Sequence, residues 1–119
     1  MGRIRTVKPE FFKYEELFTL EKETKLPVRI AFIGLWTVAD REGRFKWRPN
    51  QLKLDCLPYD NLDFSLVLDA LSSRGFITEY CEKDVTNAEK YGYINTFSQN
   101  QVINNRESES LIPCPVDAC

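Results

Sequence analysis

The chain has 119 residues, enough for one domain and too few for two. Apolar residues make up 43%, with eight Phe, five Tyr and two Trp, which supports a packed core and excludes wholesale disorder. The formal net charge is −2, and taken alone that total argues against nucleic acid, because nucleic-acid-binding domains usually carry a basic surplus.

In chain order, residues 1–8 form a basic arm with Arg3, Arg5 and Lys8 and no acid. Pro9 opens a helical segment, since a proline N–H is not missed in a first turn. Phe11, Tyr14 and Phe18 then recur at helical spacing, with Leu17 beside them. Thr24-Lys-Leu-Pro27 breaks the pattern. The clearest helix is expected from about Val28 to Arg41. Val28, Ala31, Phe32, Leu35, Trp36 and Ala39 form one apolar face there, widened by Ile30, Ile33 and Val38. Gly43 is its expected C-terminal cap. Arg44 to Trp47 reads as a very short extended segment.

Pro49 is placed to start another helix, with Leu52, Leu54, Cys56 and Leu57 as its apolar side. Pro58-Tyr-Asp-Asn61 is turn chemistry. Asp63 can cap a third helix, in which Phe64, Val67, Leu68 and Leu71 repeat at helical spacing until Gly75. Phe76 to Glu82 and Tyr91 to Phe97 are rich in the aromatic and β-branched residues that strands prefer. Lys83 to Lys90 lies between them as a polar hairpin loop.

The order is helix, short strand, helix, helix, strand, loop, strand. The expected class is therefore α+β, and more narrowly a winged helix-turn-helix, a three-helix core followed by a β-hairpin wing. An unrelated α+β domain can share this order. Residues 1–27 are the basic arm and a helical extension, 28–106 the winged-helix domain, and 107–119 a flexible tail.

Histidine is absent, which removes the commonest general base and the commonest metal ligand. There is no Gly-rich phosphate loop and no nucleophile elbow. No catalytic residue, metal or cofactor is expected, and the chain reads as a non-enzyme. Cys56, Cys81, Cys114 and Cys119 form no C-x-x-C pair and read as four reduced thiols. No run approaches the roughly 18 apolar residues of a membrane helix. The N-terminus lacks a secretory stretch, so a cytoplasmic protein without membrane contact is expected.

The net charge hides a polarity. Residues 1–8 carry +3, 9–40 carry −2, 41–53 carry +4 and 54–119 carry −7. The 41–53 cluster holds Arg41, Arg44, Lys46, Arg48 and Lys53, interleaved with Phe45 and Trp47. Alternation in an extended segment puts Arg44, Lys46 and Arg48 on one face and both rings on the other. Such a row attracts phosphates, because each neutralised phosphate releases condensed counterions. The same row also reads as a solvated face balancing the acidic half. Arg3 and Arg5, two apart, suit the side of a minor-groove arm, as basic arms ahead of helix-turn-helix cores do. They also suit a frayed terminus.

The third helix, where such a fold normally reads bases, carries Ser65, Asp69, Ser72, Ser73 and Arg74 on its non-core positions. It has no mid-helix Arg or Asn for a bidentate base contact. DNA contacts are therefore expected from Arg3, Arg5, Lys8, Arg41, Arg44, Lys46, Arg48 and Lys53, with Arg74 and Arg106 peripheral. Gln99, Gln101, Asn104 and Asn105 add amides that suit either a nucleic acid or a hydrogen-bonded loop. The competing reading is a protein-interaction module. In it Asp63, Asp69, Glu79, Glu82, Asp84 and Glu89 dock a basic partner, a replisome component or a host nucleic-acid machine inhibited by acid presented where nucleic acid binds, and the N-terminal helical segment forms a homodimer.

Two stretches carry a family resemblance. Arg3-Ile-Arg-Thr-Val-Lys-Pro-Glu-Phe-Phe and Ala31-Phe-Ile-Gly-Leu-Trp-Thr-Val-Ala-Asp-Arg-Glu-Gly-Arg resemble phage and prophage replication proteins. The type is the replisome organiser, or helix-turn-helix replication initiator. Leu52-Lys-Leu-Asp-Cys-Leu-Pro-Tyr-Asp and Gln101-Val-Ile-Asn-Asn-Arg-Glu-Ser-Glu-Ser fit as well. Members often have His where Asn100 stands, a departure that leaves that position without a carried-over role. The resemblance implies a winged-helix N-terminal domain in a bacterial host cell. It would bind phage origin DNA or a replication partner such as the helicase or its loader.

Overall fold

A computed structural model describes residues 3–82, 88–95, 97 and 109–114. A 3-10 helix, Pro9–Lys13, leads into α1, Glu15–Thr24. Then come α2 (Val28–Val38), β1 (Arg44–Lys46), α3 (Pro49–Cys56) and α4 (Phe64–Ser73). The strands β2 (Ile77–Cys81) and β3 (Lys90–Ile94) complete the order. The class is α+β. Among the described residues there are four α-helices and one three-stranded antiparallel sheet in the order β1-β3-β2.

α2 is the centre of the core. Val28, Ala31, Phe32, Leu35 and Trp36 are buried along it, with Ala39 just beyond its end. Its apolar face is the one the sequence periodicity marks, but Ile30 is 59% exposed and lies off that face. The helix ends at Val38, short of Arg41, because Asp40 organises a turn of its own. Asp40 Oδ1 accepts the backbone N–H groups of Glu42 and Arg44 at 2.9 and 3.1 Å. Such an Asx turn offers the chain an alternative to a further helical turn. Gly43 belongs to this turn and does not cap α2; its φ of 79° is a conformation that favours glycine.

The N-terminal extension is one body with the core. Phe11, Leu17 and Leu20 join the central cluster. The extension is split at Tyr14, which is extended (ψ 91°) and stands between the 3-10 helix and α1. That break resets the helical register, so Leu17 and Leu20 are buried while Phe18 is 49% exposed. Tyr14 turns its ring edge-on to Phe76, 5.4 Å away, and Phe76 in turn meets Phe32 at 5.7 Å. Trp36 bridges Phe11 at 5.2 Å and Phe32 at 5.5 Å.

α3 starts with Pro49 at its first turn and buries Leu52, with Leu57 buried beyond its end. Leu54, expected on the apolar side, points to solvent instead. α4 is capped by Asp63, whose side chain accepts the Ser65 N–H at 3.0 Å. Phe64, Val67, Leu68 and Leu71 form its buried face. β3 lies between the other two strands, with Phe45 opposite Gly92 and Tyr80 opposite Tyr91. Gly92 and Ile94 face inward, so the expected alternation on Tyr91, Tyr93 and Phe97 is offset. Tyr91 and Tyr93 occupy the other, partly exposed face.

Cys56 and Cys114 are free thiols, whereas Cys81 is disulfide-bonded, which departs from the expectation of four reduced thiols. Residues 109–114, expected within a flexible tail, lie against the sheet. The Tyr80 hydroxyl donates to the Pro113 carbonyl at 2.7 Å.

Candidate nucleic-acid interface

The basic arm is docked. The Arg3 N–H donates to the Thr37 carbonyl at 2.8 Å, and Arg3 Nη1 to the Ala39 carbonyl at 2.9 Å. Arg5 Nε and Nη2 donate to the Trp36 and Ala39 carbonyls, both at 2.9 Å. The Arg5 guanidinium also lies 5.2 Å over the Phe97 ring. These are carbonyls that an α-helix leaves unpaired at its C-terminus, where a cation is also favoured by the helix dipole. Both guanidinium groups therefore serve the end of α2.

The 44–48 segment is built as alternation requires. Phe45 is buried and Trp47 packs against the core, their rings stacked at 6.0 Å and 16°. Trp47 is fastened to β3 by its N–H, which donates to the Lys90 carbonyl at 2.9 Å. Arg44, Lys46 and Arg48 emerge on the opposite side. With Arg3, Gln51 and Asp55 they line a cavity of about 460 Å³ floored by Val38, Phe45 and Leu52. Arg48 pairs with Glu89 at 2.5 Å. Lys46 is exposed and makes no ion pair among the described residues. Arg44 is held from the far wall, where its Nη1 donates to the Ile112 carbonyl at 3.0 Å and to Ser110 Oγ at 3.3 Å.

The remaining expected cations are dispersed. Arg41 lies in the turn, 3.8 Å from Glu42. Lys53 Nζ reaches the Leu57 carbonyl at 3.4 Å. Arg74 pairs with Glu23, tying the end of α4 to α1. Lys8 is exposed ahead of the 3-10 helix. Arg106, like Asp84 and the amides of Gln99, Gln101, Asn104 and Asn105, lies outside the described residues.

The acidic residues of the competing reading fall on two elements. Asp63 and Asp69 are exposed on and beside α4, with Leu66 (53% exposed) between them. Glu79 pairs with Lys90 at 3.4 Å, Glu89 pairs with Arg48, and Glu82 is exposed. No known protein family, curated protein or solved structure matches this chain.

Four residues of the site escape a sequence reading. Asp40 is buried beneath Arg44, and its only local signal is the Asp-x-x-Gly pattern of a turn. Ser110 and Ile112 reach Arg44 from nearly seventy residues away, with no signal in the chain. Tyr80 lies on the face of β2 away from the core, beside Tyr91 and against Pro113, and burial pushes its hydroxyl up to about 12, against the opposing pull of Arg44. Among the described residues no helix is long and apolar enough to cross a membrane.

Proposed function

We propose that this chain is a non-enzymatic DNA-binding module of winged-helix type that holds duplex DNA mainly by its backbone phosphates. One observation carries this reading. Arg44, Lys46 and Arg48 stand on one face of a short edge segment whose other face is pinned by the stacked Phe45 and Trp47. A cation row on a rigid platform loses little side-chain entropy when it meets phosphates. The element order α2-β1-α3-α4-β2-β3 supports the winged-helix reading. The replication-initiation setting, with a helicase or its loader as partner in a bacterial cytoplasm, rests on the sequence motifs that resemble phage replication proteins.

In this reading α4 does not read bases. Its exposed side offers Leu66, Asp69 and Ser73 and no cation, since Arg74 is paired with Glu23. Acids there repel phosphates. The same face favours a second reading, a protein-docking surface for a basic partner.

The deciding experiment is a mobility shift at ~50 and ~200 mM salt with duplexes of unrelated sequence. Replacing Arg44, Lys46 and Arg48 together by Ala weakens binding equally for all sequences and flattens the salt dependence. Affinity and salt slope that stay unchanged reject the site. Absence of binding by the unaltered chain at the lower salt leaves the protein-docking reading.

A further inference from the structure

The segment 109–114 lies over the site just described and meets Tyr80 on the outer face of the sheet. Leu111 is 98% exposed and Ile112 and Pro113 are half-buried, so the segment has no fully buried apolar anchor. It is held by polar contacts: Ser110 Oγ with Asp40 Oδ2, the Ile112 carbonyl and Ser110 Oγ with Arg44 Nη1, and the Pro113 carbonyl with the Tyr80 hydroxyl. Glu109, Leu111 and Ile112 form one wall of the same cavity that Arg3, Arg44, Lys46 and Arg48 line.

These oxygens sit where phosphate oxygens would sit. A carbonyl 3.0 Å from Nη1 and a hydroxyl 3.3 Å from it imitate acceptors on a guanidinium, and Glu109 brings a negative charge to the rim. The imitation is incomplete. Arg44 Nε is buried and has no hydrogen-bond partner among the described residues. A buried N–H without an acceptor is costly. A phosphate can accept from Nε and Nη together, the fork geometry for which guanidinium is suited. Exchange of segment 109–114 for a phosphate therefore completes the pairing of Arg44, while Asp40 stays fixed by the N–H groups of Glu42 and Arg44.

We propose that residues 109–114 are an autoinhibitory strap, which fills the Arg44 phosphate subsite and leaves when a nucleic-acid strand enters. The proposal rests on the phosphate-binding reading of the 44–48 row and adds its regulation. It has a signature that a merely structural tail lacks. Arg44 holds both the strap and the phosphate. Removing its guanidinium from the full chain loosens the strap and deletes the contact, two effects that oppose each other. In a chain without the strap only the loss remains.

The experiment measures binding of a fluorescent duplex at ~50 mM salt. It compares the full chain, a chain ended after Ser108, and the full-length Ser110→Ala/Tyr80→Phe variant, each with and without Arg44→Gln. Reductant is present throughout, and circular dichroism confirms that each variant is folded. The shortened chain binds about tenfold more tightly, the size expected for one charge-assisted contact exchanged. The Ser110→Ala/Tyr80→Phe variant shifts the same way. Arg44→Gln lowers affinity about tenfold in the shortened chain and less than about twofold in the full chain. Equal affinity of the full and shortened chains overturns the strap while the phosphate reading stands. An equal cost of Arg44→Gln in both backgrounds does the same. If neither chain binds, the phosphate reading fails and the strap with it.

Discussion

Replacing Arg5 by Ala separates a structural arm from a DNA-reading arm. In the structure the Arg5 guanidinium donates to two carbonyls at the end of α2, both at 2.9 Å, and covers the Phe97 ring. A hydrogen bond to a charged group contributes roughly 1.5–3 kcal/mol where it is shielded, and a cation over an aromatic ring adds about 0.5–1 kcal/mol at a partly exposed site. These contributions are not additive, and water replaces part of what is lost, so the expected destabilisation is about 2–3 kcal/mol. At roughly 4 °C per kcal/mol for a domain of this size, the midpoint falls by about 8–12 °C. Thermal unfolding followed by circular dichroism measures it. Arg5→Lys recovers only a minor part, because an ammonium cannot present two donors in a fixed fork. A midpoint within about 1 °C of the unaltered chain refutes the docking of Arg5 on α2, since a solvated arm contributes little to stability.

Two further outcomes follow from packing and burial. A Cβ at Gly92 would lie 2.2 Å from Phe45 Cζ, so Gly92→Ala destabilises by about 1–3 kcal/mol through overpacking; in denaturant unfolding its cost shrinks when Phe45 is Ala as well. Cys56 is pushed from its ordinary 9.0 up to about 12, chiefly by burial and then by Asp55. The unfolded chain therefore releases this proton first, so the stabilisation is complete below about pH 9 and declines as pH rises toward 12. Tyr80 acts in the same direction. Urea midpoints measured across this range fall with pH, and Cys56→Ala makes the fall shallower.

Local patterns revealed the parts of this fold that local forces make. α4 is an example, because Asp63 caps it and Phe64, Val67, Leu68 and Leu71 share one face. So is the alternation of Arg44 to Arg48, set by the pleat. The misplaced features depend on distant partners. The spacing of Phe11, Tyr14 and Phe18 is helical, yet Tyr14 is extended with its ring on Phe76. Arg3 and Arg5 look like a free arm until the carbonyls of Trp36 and Ala39 are brought to them. Charge counting found the cation row, but it could not find that Glu89, Ile112 and Ser110 already engage two of its members.

The pairing of β1 with β3 has a consequence for how the chain reaches its fold. α3, α4 and β2 all lie between these two strands in sequence, so β1 has no sheet partner until β3 exists. Closing so long a loop costs entropy before any strand contact repays it. The helices and the β2–β3 hairpin, with nearer partners, form without waiting for it. During synthesis, a chain that has not yet extended past Ile94 holds the cations of residues 44–48 with Phe45 and Trp47 unsheltered beside them. The platform of the row is thus completed at the last strand to be made, and an unfinished chain carries a sticky basic segment in its place.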